Sequence, residues 1–177
     1  MEYTTFNFDC DITKKSITDF IKLISEHIRQ YYETRDIGDE LTVKYTICTS
    51  GGSIVEMLRF IDFIEICKNK YPKLFFISVA TNFCYGLLMT CTAHKRLIEN
   101  TADVYLCAVV SPVSSNMCFG DLDFESYTDN LNNMILDIYV KNSKLSKEEL
   151  HLLTAKTVHL SAEDCITRGF ADEICSI

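Results

Sequence analysis

The sequence predicts an α/β fold, a mainly parallel sheet flanked by helices, and three observations predict it. Short runs rich in Val, Ile, Phe and Tyr alternate along the 177-residue chain with longer stretches whose apolar residues recur every three or four positions. Strands that alternate with helices assemble as right-handed βαβ units, which make the sheet parallel. Two strand-to-helix turns, Thr49–Ser53 and Thr81–Gly86, carry glycine at the carboxyl ends of strands, where ligands meet such sheets.

The elements follow in order. Tyr3 to Phe8 alternates polar and aromatic residues, as a strand with one buried face does. From Thr13 the chain reads as a helix, with Ile17, Phe20, Ile21, Ile24, Ile28 and Tyr31 on one stripe. Residues 34–40 are charged, contain Gly38 and read as a surface loop. Leu41 to Cys48 is a β-branched strand running into Thr49-Ser50-Gly51-Gly52-Ser53. Ile54 to Cys67 is apolar nearly all round and predicts a buried helix, stopped by Pro72. Leu74 to Val79 is the next strand, and Tyr85 to Ala93 a short apolar helix. Val104 to Val110 is a further buried strand, ended by Pro112, and Ser111 to Gly120 is irregular and rich in small residues. A long helix follows at about 122–141, with Tyr127, Leu131, Met134 and Ile138 spaced by four, three and four. Ser146-Lys147-Glu148-Glu149 is a capping box, Ser161-Ala162-Glu163-Asp164 opens another helix, and Gly169 stops it.

The length suits one domain, 1–177, with enough chain for a real core. Two Pro and six Gly exclude collagen-like and low-complexity classes. No apolar run reaches the roughly 18–20 residues of a membrane span, and the first residues lack a basic and apolar leader pattern, so the expectation is a cytoplasmic protein with no membrane partner. A net charge of −8 argues against nucleic acid as partner. None of the nine cysteines is spaced as CxxC, and several lie in apolar runs. They read as buried free thiols in a reducing compartment, with no metal and no cofactor implied.

Two turns carry the chemical information. Gly51-Gly52 ends a strand and opens a helix, so backbone N–H groups can approach an oxyanion or a phosphate there. The spacing is neither GxGxxG nor a P-loop, which leaves nucleotide binding without support. Phe83-Cys84-Tyr85-Gly86 stands in the same strand-to-helix context; a helix N-terminus there would lower the Cys84 thiol pKa, while the segment by itself reads more readily as one more buried structural cysteine.

The order of segments then becomes specific. It runs strand, Ser50-Gly51-Gly52-Ser53, apolar helix, strand, Cys84-Tyr85-Gly86, apolar helix, Lys95-Arg96, and far downstream His159-Leu160-Ser161-Ala162-Glu163-Asp164 through Gly169-Phe170-Ala171-Asp172-Glu173-Ile174. This resembles the ClpP peptidase family of the ClpP/crotonase superfamily, over about residues 3–177. That family has a Pro-Gly-Gly-Ser turn, a Ser-Met-Gly nucleophile turn and a closing Ser-Ala-Glu segment. The resemblance implies repeated β-β-α units around a mainly parallel sheet, and a handle-like helix at 122–141 of the kind that joins two heptameric rings.

It also implies a Ser-His-Asp triad, from which this chain departs at every position. Cys84 stands at the nucleophile position and Thr157 at the aspartate position. Counting from Lys95-Arg96 puts the histidine position at Cys107, and anchoring on Pro112 puts it at Val110. The oxyanion turn is better kept: Gly52 matches the glycine whose N–H forms the hole, and Tyr85 supplies the N–H after the nucleophile position. Of the four histidines only His159, two residues past the aspartate position, is expected to approach Cys84 as a base, and it reads more readily as a core packing residue; His94 reads as surface. Ser114-Ser115-Asn116 stands where the resemblance places a glycine-rich turn after the family histidine, and with the first strand expected by about residue 3 no axial segment is expected before it, so the resemblance gives docking of an AAA+ unfoldase little support.

Three functions remain. The first is a catalytically inactive ClpP-like subunit with a structural or regulatory role, in a ring or stacked rings of its own copies or with an active ClpP-type subunit. The second is a divergent hydrolase using Cys84 as nucleophile. The third is a crotonase-like binder of acyl thioesters.

Overall fold

The computed structural model describes residues 4–106, 108 and 124–175. Its elements are β1 (Thr4–Asp9), α1 (Lys14–Glu33), β2 (Leu41–Thr49), α2 (Ile54–Lys70), β3 (Leu74–Cys84), α3 (Leu87–Thr90), β4 (Lys95–Glu99), β5 (Asp103–Leu106), α4 (Phe124–Asn142), α5 (Lys147–Thr154), β6 (Val158–Leu160), α6 (Ala162–Arg168) and β7 (Glu173–Cys175). β1, β2, β3, β4 and β7 lie side by side, all parallel. β3 outruns β4: its Ile77–Ala80 pairs with β4, and its last residues, Phe83 and Cys84, pair with β5. β6 returns antiparallel along β5. The fold is therefore the mixed α/β, mainly parallel sheet that the alternation predicts.

Simple local rules make the helices. Thr13, Ser146 and Ser161 each close a capping box, with Ser16, Glu149 and Asp164 at the third helical position. Gly169 ends α6 in the left-handed conformation, with φ +80°. α1 buries Ile17, Phe20, Ile24 and Ile28 against the sheet. The Phe20 ring meets Phe8 edge-on at 5.2 Å and stacks on Phe60 of α2 at 5.4 Å. Along β2 every second residue, Leu41, Val43, Tyr45, Ile47 and Thr49, is buried. The Tyr45 hydroxyl, inside the core, donates to the Met89 carbonyl at 3.0 Å.

Three expectations need correction, and a fourth falls largely outside the described residues. α2 is not buried all round: Met57, Phe60, Ile61, Ile64 and Cys67 face the core, while Val55 and Ile66 point to solvent. The apolar helix expected over Tyr85–Ala93 is a single turn, Leu87–Thr90, after which the chain turns into β4 from Lys95. β4 lies where Lys95-Arg96 read as plain surface. Its charge pattern hides a strand, since Arg96 turns inward and is held there: it donates to Asp172 from its backbone (2.8 Å) and its guanidinium, and to the carbonyls of Asn142 and Gly169. Finally, β5 ends at Leu106 among the described residues. The remainder of the strand expected to Val110 (Ala108 apart), the stretch Ser111–Gly120 with its Ser114-Ser115-Asn116, and the start of the helix expected from 122 lie outside the described residues. Among the described residues no helix is long and apolar enough to cross a membrane.

Candidate functional site

The two glycine turns meet at the carboxyl end of β2 and β3. Thr49 pairs with Cys84 in the ladder, and its hydroxyl donates to the Cys10 carbonyl at 2.7 Å while receiving the Gly51 N–H at 3.2 Å. The space at Gly51 opens directly on Tyr85, whose Cβ lies 3.2 Å from where a Gly51 Cβ would stand. Gly52 is fixed from the other side. Ile12 donates its N–H to the Gly51 carbonyl at 2.8 Å and receives the Ser53 N–H at 2.9 Å, with Gly52 at φ +141°. Gly86 is glycine because β2 passes too close for a side chain: a Cβ there would stand 2.7 Å from Ile47 Cγ2 and 2.8 Å from Thr49 Cγ2.

A cavity of about 700 Å³ opens beside these turns, with Gly51, Gly52 and Tyr85 on the sheet side and Leu131, Ile135 and Tyr139 of α4 opposite. Cys84 does not line it. Its side chain is fully buried on the core side of β3, as alternation requires between the exposed Phe83 and the partly exposed Tyr85. Loss of solvation pushes the thiol up to about 12, against a weaker opposing effect from the Gly86 N–H. Two neighbouring thiols, Cys91 and Cys165, are likewise buried and likewise pushed up to about 12 by burial. The lowered thiol pKa expected at a helix N-terminus is therefore reversed. The helix is four residues long and the sulfur lies in the core, so desolvation dominates the weak dipole.

The candidate oxyanion donors have different fates. The Tyr85 N–H is committed to the Thr49 carbonyl at 2.9 Å. The Gly52 N–H has no acceptor among the described residues. Thr157 is exposed in the link between α5 and β6. Cys107 and Val110, the two placements of the histidine position, lie outside the described residues.

His159 is neither a core residue nor a neighbour of Cys84. Cys84 pairs with Val104 and Val104 with Leu160, and these three share the buried face. Alternation puts His159 on the opposite face, where it is exposed, lies 4.0 Å from the Tyr105 ring and brings Nδ1 to 3.3 Å from Asp103. Tyr105 in turn stacks on Tyr85 at 4.2 Å and donates its hydroxyl to Asp103 at 2.8 Å. His94 is not free surface either: its Nδ1 accepts the Phe76 N–H at 2.9 Å and its ring stacks on Phe75. Burial holds its pKa below the usual histidine value.

Sequence reasoning passed over two residues that shape the site. β3 carries extra residues just before Cys84: the step from Ile47 to Thr49 on β2 faces the step from Ala80 to Cys84 on β3. Within this bulge Asn82 has φ +44°, and its N–H donates to the Glu99 carboxylate of β4 at 3.3 Å. The one signal in the sequence was an Asn, the side chain most tolerant of that conformation after Gly.

With this geometry in place, the chain can be set beside known proteins. The Clp protease family model matches residues 18–177. No curated protein sequence matches the chain. Among solved structures, a mutant of ClpP1 from Listeria monocytogenes superposes with a TM-score of 0.75 at 15% identity, over 98% of this chain and 91% of that one. At that identity the likeness is one of fold.

Proposed function

Since the chain belongs to the Clp protease family, we propose that it is a ClpP-fold subunit, one domain over 1–177, that no longer cleaves peptide bonds and serves a structural or regulatory role in an oligomer. The observation that carries this reading is Cys84, the residue at the nucleophile position, sealed in the core with a thiol pushed up to about 12 and excluded from the cavity beside it. A nucleophile, its base and the base's orienting acid act as one unit, and losing any member costs several orders of magnitude in rate. Here the nucleophile position is turned away, His159 lies on the other face of the sheet, Thr157 carries no charge, and the Tyr85 N–H already serves the Thr49 carbonyl.

The partner is a second copy of this chain or an active ClpP-type subunit, in a ring or stacked rings. α4 supports this: Leu131, Ile135, Leu136 and Tyr139 pack inward, yet Tyr127 and Met134 stand about half exposed on the same helix.

The test is hydrolysis of unstructured peptides by the purified protein beside Cys84→Ala, with fluorophosphonate labelling in parallel. The expected result is no turnover above the Cys84→Ala background and no labelling. Turnover that disappears in Cys84→Ala overturns the proposal in favour of a cysteine hydrolase.

A further inference from the structure

The β3 bulge decides where Cys84 stands. Without it the ladder would continue in step from Ile47 opposite Ala80, and Thr49 would face Asn82. Cys84 would then lie two residues, about 6.6 Å, further along the strand, past the end of β2. A shift of two residues keeps every side chain on its own face, so the core pattern of β3 allows both registers. The bulge withdraws Cys84 to a position opposite Thr49 and brings the Tyr85 N–H onto the Thr49 carbonyl.

Something must hold the bulge, because residues looped out of a ladder lose their hydrogen bonds and Asn82 adopts a conformation that side chains disfavour. The Thr81 hydroxyl reaches the Ile47 carbonyl at 3.4 Å. The Asn82 N–H, which has no strand partner, meets the carboxylate of Glu99 at 3.3 Å. Glu99 is only 7% exposed, on a strand otherwise bound to β3 and β7. A carboxylate is costly to bury and is placed here on an orphan N–H. We infer that Glu99 is a positioning residue for the candidate site: by accepting the Asn82 N–H it holds the bulge that withdraws Cys84 and closes the Tyr85 half of the oxyanion turn. This rests on the site assignment above but not on the absence of catalysis.

The test reads the reactivity of individual thiols. The native protein is treated with iodoacetamide at pH 8 and each cysteine is followed by peptide mapping, in wild type, Glu99→Gln and Glu99→Leu. Cys91 and Cys165 are internal controls, being as buried as Cys84 and close to it but outside the β3 strand that carries the bulge. Glu99→Leu removes the acceptor, and Cys84 alkylation is expected to rise at least ten-fold while Cys91 and Cys165 stay protected. Glu99→Gln keeps an acceptor oxygen and is expected to keep Cys84 protected. The inference is overturned if Cys84 reactivity is unchanged in a folded Glu99→Leu protein, or if all three thiols open together. Peptide turnover by the wild type would sink the inactive reading and leave this one standing, so the two failures are distinguishable.

Discussion

Gly52→Ala is expected to destabilise the protein by about 3–5 kcal/mol while Gly38→Ala leaves it nearly unchanged. Gly52 has φ +141°, a region in which a Cβ is strained whatever the space, at a cost of about 1–3 kcal/mol. There is also no space. The Cβ would stand 2.9 Å from the Ile12 carbonyl carbon and closer still to its oxygen, and the obstacle is backbone, which cannot swing aside. Reaching ordinary contact parts the two segments by at least about 0.5 Å, which stretches the Ile12–Gly51 and Ser53–Ile12 hydrogen bonds from 2.8 and 2.9 Å to the edge of useful geometry. Each weakened backbone bond adds on the order of 1 kcal/mol. At roughly 2–4 °C per kcal/mol for a chain of this size, Tm should fall by about 6–20 °C in a thermal melt. Gly38 has nothing within 4 Å of a Cβ and no positive φ, so it controls for glycine replacement itself. If Gly52→Ala melts within about 2 °C of Gly38→Ala, corresponding to less than about 1 kcal/mol, the turn is not held as argued.

Arg96→Ala should cost about 2–4 kcal/mol in urea unfolding, since it removes the donor to the Asn142 and Gly169 carbonyls and leaves the Asp172 carboxylate with only the backbone N–H of residue 96. Burial alone would raise the Asp172 pKa, but the Arg96 hydrogen bonds outweigh it and hold the carboxyl below the usual range. A carboxyl held low stabilises the fold above its unfolded value and loses that stability as pH falls through the folded one. Wild-type stability should therefore drop below about pH 4, with a shallower drop in Arg96→Ala. At pH 8, iodoacetamide should label the exposed Cys10 within minutes and leave Cys84, whose thiol is sealed in the core and pushed up by burial, unlabelled for hours; comparable rates at the two sites would contradict the buried geometry. Light scattering at micromolar concentration should give a mass of several chains, and Tyr127→Ser with Met134→Ser should lower it; a wild-type monomer would remove the proposed assembly.

The parts of the fold that read plainly in the sequence are those governed by local rules. Thr13, Ser146, Ser161 and Gly169 fix helix ends by hydrogen bonds within a few residues, and the alternation from Leu41 to Thr49 belongs to one strand. Failures came where distant partners decide. Arg96 reads as solvated until Asp172, 76 residues on, supplies its anion. Val55 and Ile66 make α2 look buried on all sides because an apolar side chain does not announce which face has neighbours. At the site the turns were legible from their glycines, but the place of Cys84 opposite Thr49 was not. It follows from a register step between β2 and β3, beside which the Glu99 carboxylate of β4 accepts the Asn82 N–H, and neither leaves a spacing to count. His159 was misplaced for the same reason, since its face is set by β6 pairing with β5.

The pairing of β4 with β7 has a consequence for how the molecule is made. β4 has β3 on one side as soon as the middle of the chain exists, but its other side waits for Glu173–Cys175, which lie far downstream in the chain. Until then an open strand edge and an inward-turned guanidinium coexist, a combination that invites pairing between nascent chains. Contacts of such long separation are slow to close because loop entropy must be overcome first. Completion of the sheet is thus tied to the synthesis of Glu173–Cys175, and until they emerge the free edge of β4 is open to mispairing.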